Sequence, residues 1–139
     1  MQTGKTKEIW IKLPEVIRAK DFEMIRKIIE LSDKFADGML ISNLESYGYL
    51  KEYGYTGEIA LNHHVYVWNQ ETIKFWENKI NSFLMPIECN IHEWKNLQHE
   101  QAEYLCYGKI PMMVTANCVH KNTLSCDKKS GVHYLKDRY

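Results

Sequence analysis

The stretch GMLISN, from Gly38 to Asn43, joins a short apolar run to a helix-capping residue and decides how the chain folds. An apolar run of this length is typical of a strand that is buried on both faces, as in a parallel sheet. Asn43 is a good N-cap, and the helix it opens, through about Glu52, directs Leu44, Tyr47 and Leu50 inward. The stretch is therefore predicted to be one strand–helix unit.

Similar units lie on both sides of it. The alternating run from Glu8 to Leu13 stops at Pro14, as an edge strand does. Further strands are predicted over 57–62, 83–87, 102–107 and 110–115, and 63–68 either extends the third strand or forms a loop. Helices are predicted from Asp21 to Lys34 and after Asn69 and Asn90, and Asn90 has capping-box spacing to Glu93.

Repeated strand–helix units predict a parallel sheet with right-handed crossovers. The predicted fold class is α/β, a partial β/α barrel-like domain with about five parallel strands and flanking helices, because a closed barrel needs about eight strands. We expect residues 1–115 to form this partial barrel and residues 116–139 to be a cysteine-containing tail of the same domain.

Composition excludes several classes of function. The chain has 139 residues, 45% of them hydrophobic and 26% charged, so it is not a disordered chain. Its 18 basic and 18 acidic residues cancel, so no overall field steers it to nucleic acid or an anionic membrane. No segment has the roughly 20 apolar residues of a membrane span, and no signal-peptide core follows the polar start, so we expect a cytoplasmic protein without membrane partners.

Polar residues follow the predicted strands, where parallel sheets collect functional groups. The strand ends offer Ser42–Asn43, Asn62–His64, Glu88–Cys89 and the segment from Thr115 to Cys118. Asn43, Asn69 and Asn90 are equally explained as helix caps. Asn62 precedes no obvious helix start, so its polar side chain is less easily assigned a structural role.

His63 and His64 offer one general base or one metal ligand. Adjacent residues on a strand point to opposite faces, which favours a solvent-facing or core-satisfied pair over a shared site. Glu88 is a candidate acid, base or substrate-binding carboxylate.

The four cysteines suggest thiols or metal ligands more than disulfides in a reducing compartment. Cys118 and Cys126, with His120 and His133 nearby, offer a zinc site whose spacing fits no standard finger. Cys89 and Cys106 lie in or beside β runs, so we expect them to be small buried residues.

The order of several motifs resembles the collagenase-like peptidases, a family of unassigned catalytic type. Ala60–Asn62 followed by Val67–Asn69 is similar to its Leu-Asn…Phe-Asn segment, and Pro86–Asn90 to its Ser-Pro-Glu-Leu-Asn segment, with Glu88 at the acidic position. Glu103–Val114 resembles its strand, Gly and Pro-Leu-Met pattern. Leu135–Tyr139 is similar to its Leu-x-Asp-Arg element. Met85 and Cys89 depart from the family's Ser and Leu.

The resemblance implies the C-terminal half of a longer barrel-like domain, with upstream strands before Met1 and further cysteines after Tyr139. Cys118 and Cys126 would be the first two of four iron–sulfur ligands. No cofactor is therefore expected in this fragment alone, and a cluster or zinc is expected in the full-length protein. Glu88 and Asn62 are taken as candidate catalytic residues. The candidate substrate-binding residues are Asn69, His63, Asn117 and Arg138.

Three functions follow as hypotheses. The first is hydrolysis of collagen-like or other peptides by the full-length protein, the fragment itself being inactive. The second is iron–sulfur-dependent hydroxylation of RNA bases or a small aromatic precursor. The third is a non-enzymatic interaction module, which would form homo-oligomers because an open half-barrel exposes strand edges and an apolar face.

Overall fold

The computed structural model describes residues 7–111, 113–118 and 121 of the chain. Strands and helices alternate along it, and nine such elements are given by their bounds: β1 Trp10–Lys12, α1 Phe22–Ser32, β2 Gly38–Ile41, α2 Leu44–Glu52, β3 Glu58–Leu61, α3 Gln70–Trp76, β4 Ser82–Leu84, α4 Ile91–Asn96 and β5 Ala102–Glu103. Two 3₁₀ turns lie at Ala19–Asp21 and His63–Val65. Within this part of the chain no helix is long and apolar enough to cross a membrane.

The five strands form one parallel sheet in the order β1-β2-β3-β4-β5. Strand order that equals chain order is the winding of a β/α barrel, whereas doubly wound sheets reverse direction at a switch point. The predicted α/β fold with a partial barrel-like sheet is confirmed, including the position of β1 at an edge.

Apolar side chains from the central strands and the helices make the core. Met39 pairs with Ile59, and Ile41 with Leu61, in the β2–β3 register. All four of these side chains are buried. Helix α1 adds Ile25 and Ile29 to the same cluster, which also contains Leu50, Ile73, Trp76 and Phe83.

Gly38 lies opposite Trp10 where β1 meets β2. A Cβ atom at position 38 would lie 2.4 Å from the Trp10 ring, so only glycine lets this ring pack on the strand. The indole of Trp10 therefore covers the start of the sheet.

Three asparagines cap helices as predicted. The side-chain oxygen of Asn43 accepts from the backbone N–H of Ser46, at 2.7 Å. Asn69 and Asn90 cap α3 and α4 in the same way, and Asn90 completes the capping box with Glu93. Asp21 is the N-cap residue of α1, but its side chain does not cap that helix, because its carboxylate accepts from the backbone N–H of Arg18 instead.

Several other predictions are corrected. Leu44 is 66% exposed, because it is the first residue of α2 and lies ahead of the buried turn around Leu50. Cys106 is exposed because the strand predicted over 102–107 ends at Glu103. The fourth strand ends at Leu84, just before Pro86, which has no N–H to donate to the sheet. Among the described residues of 110–115 there is no strand.

Two aliphatic residues on α1 test the core. Ile25→Ala removes a fully buried side chain and should lower the free energy of unfolding by about 2–5 kcal/mol. Leu31→Ala, at a position that is 55% exposed, should change it by about 0.5 kcal/mol or less. Urea unfolding of the two variants checks this, and equal losses would contradict the assigned face of α1.

Candidate active site

Polar side chains from four strands meet at the carboxyl edge of the sheet. Parallel pairing brings the carboxyl ends of all strands to one edge, so residues far apart in sequence become neighbours there. The groups at or just after the carboxyl ends of β1, β2, β3 and β4 are Lys12 and Glu15, Ser42, Asn62 and His63, and Glu88.

Asn62 ties the ends of β2 and β3 together. Its side-chain Nδ2 donates to Ser42 Oγ at 3.1 Å, and its Oδ1 accepts from the backbone N–H of His63 at 2.8 Å. The expectation that no helix follows Asn62 is wrong, since it caps the 3₁₀ turn His63–Val65. The buried amide of Asn62 therefore fixes the start of the turn that carries His63.

His63 and His64 lie side by side. Because both belong to a 3₁₀ turn, the expectation that they point to opposite faces of a strand is wrong. Their ring centroids are 4.0 Å apart and the rings are tilted by 35°. His63 Nε2 and His64 Nδ1 are both buried, and neither has a hydrogen-bond partner among the described residues. Unsatisfied ring nitrogens at a strand end are suited to a ligand.

Burial lowers the pKa of His63 below its ordinary value, and the adjacent His64 lowers it further. Glu88 acts in the opposite direction, because its carboxylate favours the charged imidazolium. Lys12 also lowers the pKa of His63 and Glu15 raises it. The net result is an imidazole that is neutral at neutral pH, which is the protonation state a general base needs.

The two histidines and Glu88 line a cavity of about 270 Å³. Its other walls are Tyr66, Ile87, Ile110 and Pro111. The lining therefore combines polar and apolar residues, as in sites that bind a ligand by shape and orient it with a few polar groups.

The loop that carries Glu88 is held at both ends. Trp94 Nε1 donates to the carbonyl of Pro86 at 3.2 Å, and the backbone N–H of Cys89 donates to the same oxygen at 3.3 Å. The capping box of α4 begins at Asn90, directly after the loop. Glu88 is exposed, yet its backbone is fixed beside the cavity.

An ion pair follows β1 at the same edge. Lys12 bonds to Glu15, and this hydrogen bond is the largest cause of a lowered pKa at Glu15. His64 also lowers the pKa of Glu15, which places this pair within electrostatic range of the histidines. Sequence reasoning missed both residues, although their position just after the first strand was a usable signal.

The chain after β5 returns across this edge. We call residues 104–111 and 113–118 the crossing segment. Ile110 and Pro111 line the histidine cavity, and Val114, Thr115 and Ala116 lie against the loop that follows β1. Arg18 Nη2 donates to the carbonyl of Ala116 there. The crossing segment thus covers part of the carboxyl edge from β5 to β1.

Of the remaining predicted site residues, those that the structure describes are not brought into the histidine cavity. Asn69 is exposed and uses its Oδ1 to cap α3. Asn117 is exposed on the crossing segment, where its backbone N–H donates to Thr115 Oγ1 at 3.1 Å. Cys89 is buried, as predicted. Arg138 and Cys126, like His120 and His133, lie outside the described residues.

Within residues 7–111, 113–118 and 121, no three His, Cys, Asp or Glu side chains are grouped as metal ligands. Of the two predicted cluster ligands, Cys118 is the described one, and it is exposed. An iron–sulfur or zinc site therefore stays a prediction.

Five parallel strands in chain order with flanking helices are the arrangement of a β/α barrel-type domain, and such domains carry their ligand sites at the carboxyl edge of the sheet. The model of Peptidase family U32 matches residues 2–132, and the chain belongs to this family. The resemblance to the collagenase-like peptidases is thereby confirmed. Searches of curated proteins and of solved structures gave no match. The narrower assignment to the C-terminal half of the family's domain stays a prediction.

The lowered pKa of His63 predicts how stability depends on pH. An unfolded histidine titrates near about 6.5, so the unfolded chain takes up this proton before the folded chain does. The contribution of neutral His63 to the free energy of unfolding is complete above that pH. It is lost as the pH falls toward the pKa of His63 in the folded chain. Nuclear magnetic resonance of the ring protons should give a His63 midpoint below about 6.5.

A matched pair of variants isolates this effect. His63→Gln should show a smaller loss of unfolding free energy between about pH 8 and about pH 5 than the native chain. His92→Gln, at an exposed position on α4, should leave the native dependence unchanged. A His63 midpoint at or above its ordinary value would contradict the prediction.

Proposed function

We propose that the carboxyl edge of this sheet binds and hydrolyses peptides, as part of a peptidase family U32 enzyme. The observation that carries the proposal is the buried, unpartnered Nε2 of His63 beside a cavity shared with Glu88. Membership of peptidase family U32 supports peptide hydrolysis as the class of reaction. In this proposal the peptide binds at the cavity lined by His63 and Glu88.

Neutral His63 is the general base in this proposal. Its free ring nitrogen takes a proton from a water molecule, whose oxygen attacks the peptide carbonyl carbon. The C–N bond then breaks, and the imidazolium returns the proton to the leaving amine. The products are a carboxylic acid and an amine, so the step consumes one water and needs no redox partner.

Glu88 stabilises the charged state that His63 passes through. Its carboxylate raises the pKa of His63, which means that it favours the imidazolium formed when water loses its proton. Burial favours the neutral ring of His63 in the resting enzyme, and Glu88 lowers the free energy that protonation of this ring requires. Asn62 is assigned a positioning role, because its amide holds Ser42 and the backbone of His63.

Peptide cleavage by the full-length protein tests the proposal. Purified native protein should cleave gelatin-derived peptides, and mass spectrometry of the products locates the bond. His63→Gln should lower kcat/KM by about 10²–10⁴-fold because the general base is lost. Glu88→Gln should lower the rate and move the acid limb of the pH profile to lower pH, because the pKa of His63 falls without the carboxylate.

His92→Gln is the control and should retain the native rate. A native protein that cleaves no peptide under anaerobic, metal-replete conditions would overturn the proposal. An undiminished rate in His63→Gln would overturn the assigned base.

One observation favours a second candidate function, iron–sulfur-dependent hydroxylation of RNA bases or a small aromatic precursor. The crossing segment is held at Ala116 by Arg18, and the exposed thiol of Cys118 lies two residues further on. A predicted cluster ligand therefore lies close to the anchored end of the segment that covers the site. Thiolates are the ligands that such clusters take.

Iron and acid-labile sulfide in anaerobically purified full-length protein test this candidate. Cys118→Ser should lower both contents, because it removes one thiolate ligand. Cys106→Ser, also an exposed thiol of the crossing segment, should leave both unchanged. A native protein without iron and sulfide would exclude this function.

A further inference from the structure

A second cavity, of about 320 Å³, lies next to the histidine cavity. It is formed where the chain enters α3 and where α4 packs beside it. The residues that shape it are Trp68, Asn69, Gln70, Cys89, Glu93 and Leu97. Its size is at the lower end for ligand pockets, which suits one side chain better than a large ligand.

Most of the exposed surface inside this second cavity is apolar, although Asn69, Gln70, Glu93 and Asn96 also line it. Cys89 and Leu97 are buried, and Trp68 exposes 42% of its surface. Burial raises the pKa of the Cys89 thiol, so the thiol is uncharged at neutral pH. Gln70 Nε2 donates to the carbonyl of Asn96, another lining residue, at 2.8 Å, so this amide joins α3 to α4 beside the cavity.

Two structural links join the cavities. Glu88 lines the first cavity and Cys89, the next residue, lines the second. Tyr66 of the first and Trp68 of the second stack, with ring centroids 5.9 Å apart. Tyr66 has a left-handed backbone with φ of 52°, which non-glycine residues rarely adopt. This disfavoured conformation is found where its ring borders both the histidine cavity and Trp68, and such strain is common at ligand sites.

We propose that the Trp68 cavity is a specificity subsite that receives an apolar, preferably aromatic, side chain of the peptide. The inference rests on the proposed hydrolytic function of the neighbouring site. Glu88 and Cys89 are consecutive and the rings of Tyr66 and Trp68 stack, so the two cavities adjoin. The subsite therefore takes a side chain close to the bond cleaved beside His63.

Peptide binding to a variant that cannot cleave its substrate tests the subsite independently of the proposed hydrolytic function. The full-length His63→Gln variant is mixed with fluorescent peptides that differ only by Phe or Ser at one position, and the position is moved along the peptide. At one position near the cleaved bond, the Phe peptide should bind at least about tenfold more tightly, as expected for burial of an aromatic ring. Equal affinity at every position, or no binding of either peptide, would overturn the subsite.

Substitution of Trp68 provides the matched comparison. Trp68→Ala in the same background should abolish the preference for Phe, and Trp68→Leu, which keeps more of the packing, should reduce it. Phe75→Ala, at an exposed aromatic position outside this cavity, should retain it. Unfolding midpoints show that each variant is folded. A Phe preference that survives both Trp68 variants would overturn the assignment of this cavity.

Cleavage assays with the native enzyme distinguish failure of the subsite from failure of the hydrolytic function. If peptides are cleaved without any preference at the subsite position, the hydrolytic function holds and the subsite is wrong. If no peptide is cleaved but the Phe preference is present and depends on Trp68, the subsite holds as a binding site and the hydrolytic function is wrong.

Discussion

Parallel pairing of β2 with β3 is the constraint on which the rest of the structure depends. The pairing runs from Gly38 and Glu58 to Ile41 and Leu61, and the backbone N–H of Asn62 continues it by donating to the carbonyl of Ile41. Most of the side chains on these strands are buried, so a shift by one residue would exchange the faces of the core. The same register sets Asn62 beside Ser42, and so fixes where His63 begins its turn. Packing and site geometry are thus consequences of one alignment.

The candidate site depends on a balance between burial and charge. Burial alone would make His63 a poor proton acceptor, and an exposed histidine would be partly charged at neutral pH. Glu88 offsets part of the burial effect without reversing it, since the pKa of His63 remains lowered. The ion pair of Lys12 and Glu15 adds opposing influences that partly cancel. The protonation state of His63 therefore depends on three strand ends together, those of β1, β3 and β4.

Local signals were enough to predict much of the fold. The apolar run ended by Asn43 predicted β2 and α2, and Asn69 and Asn90 predicted the starts of α3 and α4, because an N-cap needs only its own side chain and the next turn. The residues after β3 were harder, since nothing local shows that His63 and His64 leave the strand for a 3₁₀ turn. The hydrogen bond from Asn62 to Ser42 crosses between strands and requires the sheet to be known. The same is true of Glu15, which joins the site only through the parallel order of the strands.

The crossing segment affects the order in which the parts of the molecule fold. Arg18 and Ala116 are separated by 98 positions, so their contact closes one of the longest loops in the chain. Contacts of such separation form late, because the entropy of closing the loop is lost before the contact can stabilise anything. The strands and their caps can assemble from near neighbours, while Ile110 and Pro111 reach the histidines only when the chain has crossed back. During synthesis the sheet would therefore exist before the site is enclosed, and the last described part of the chain would be the one that completes it.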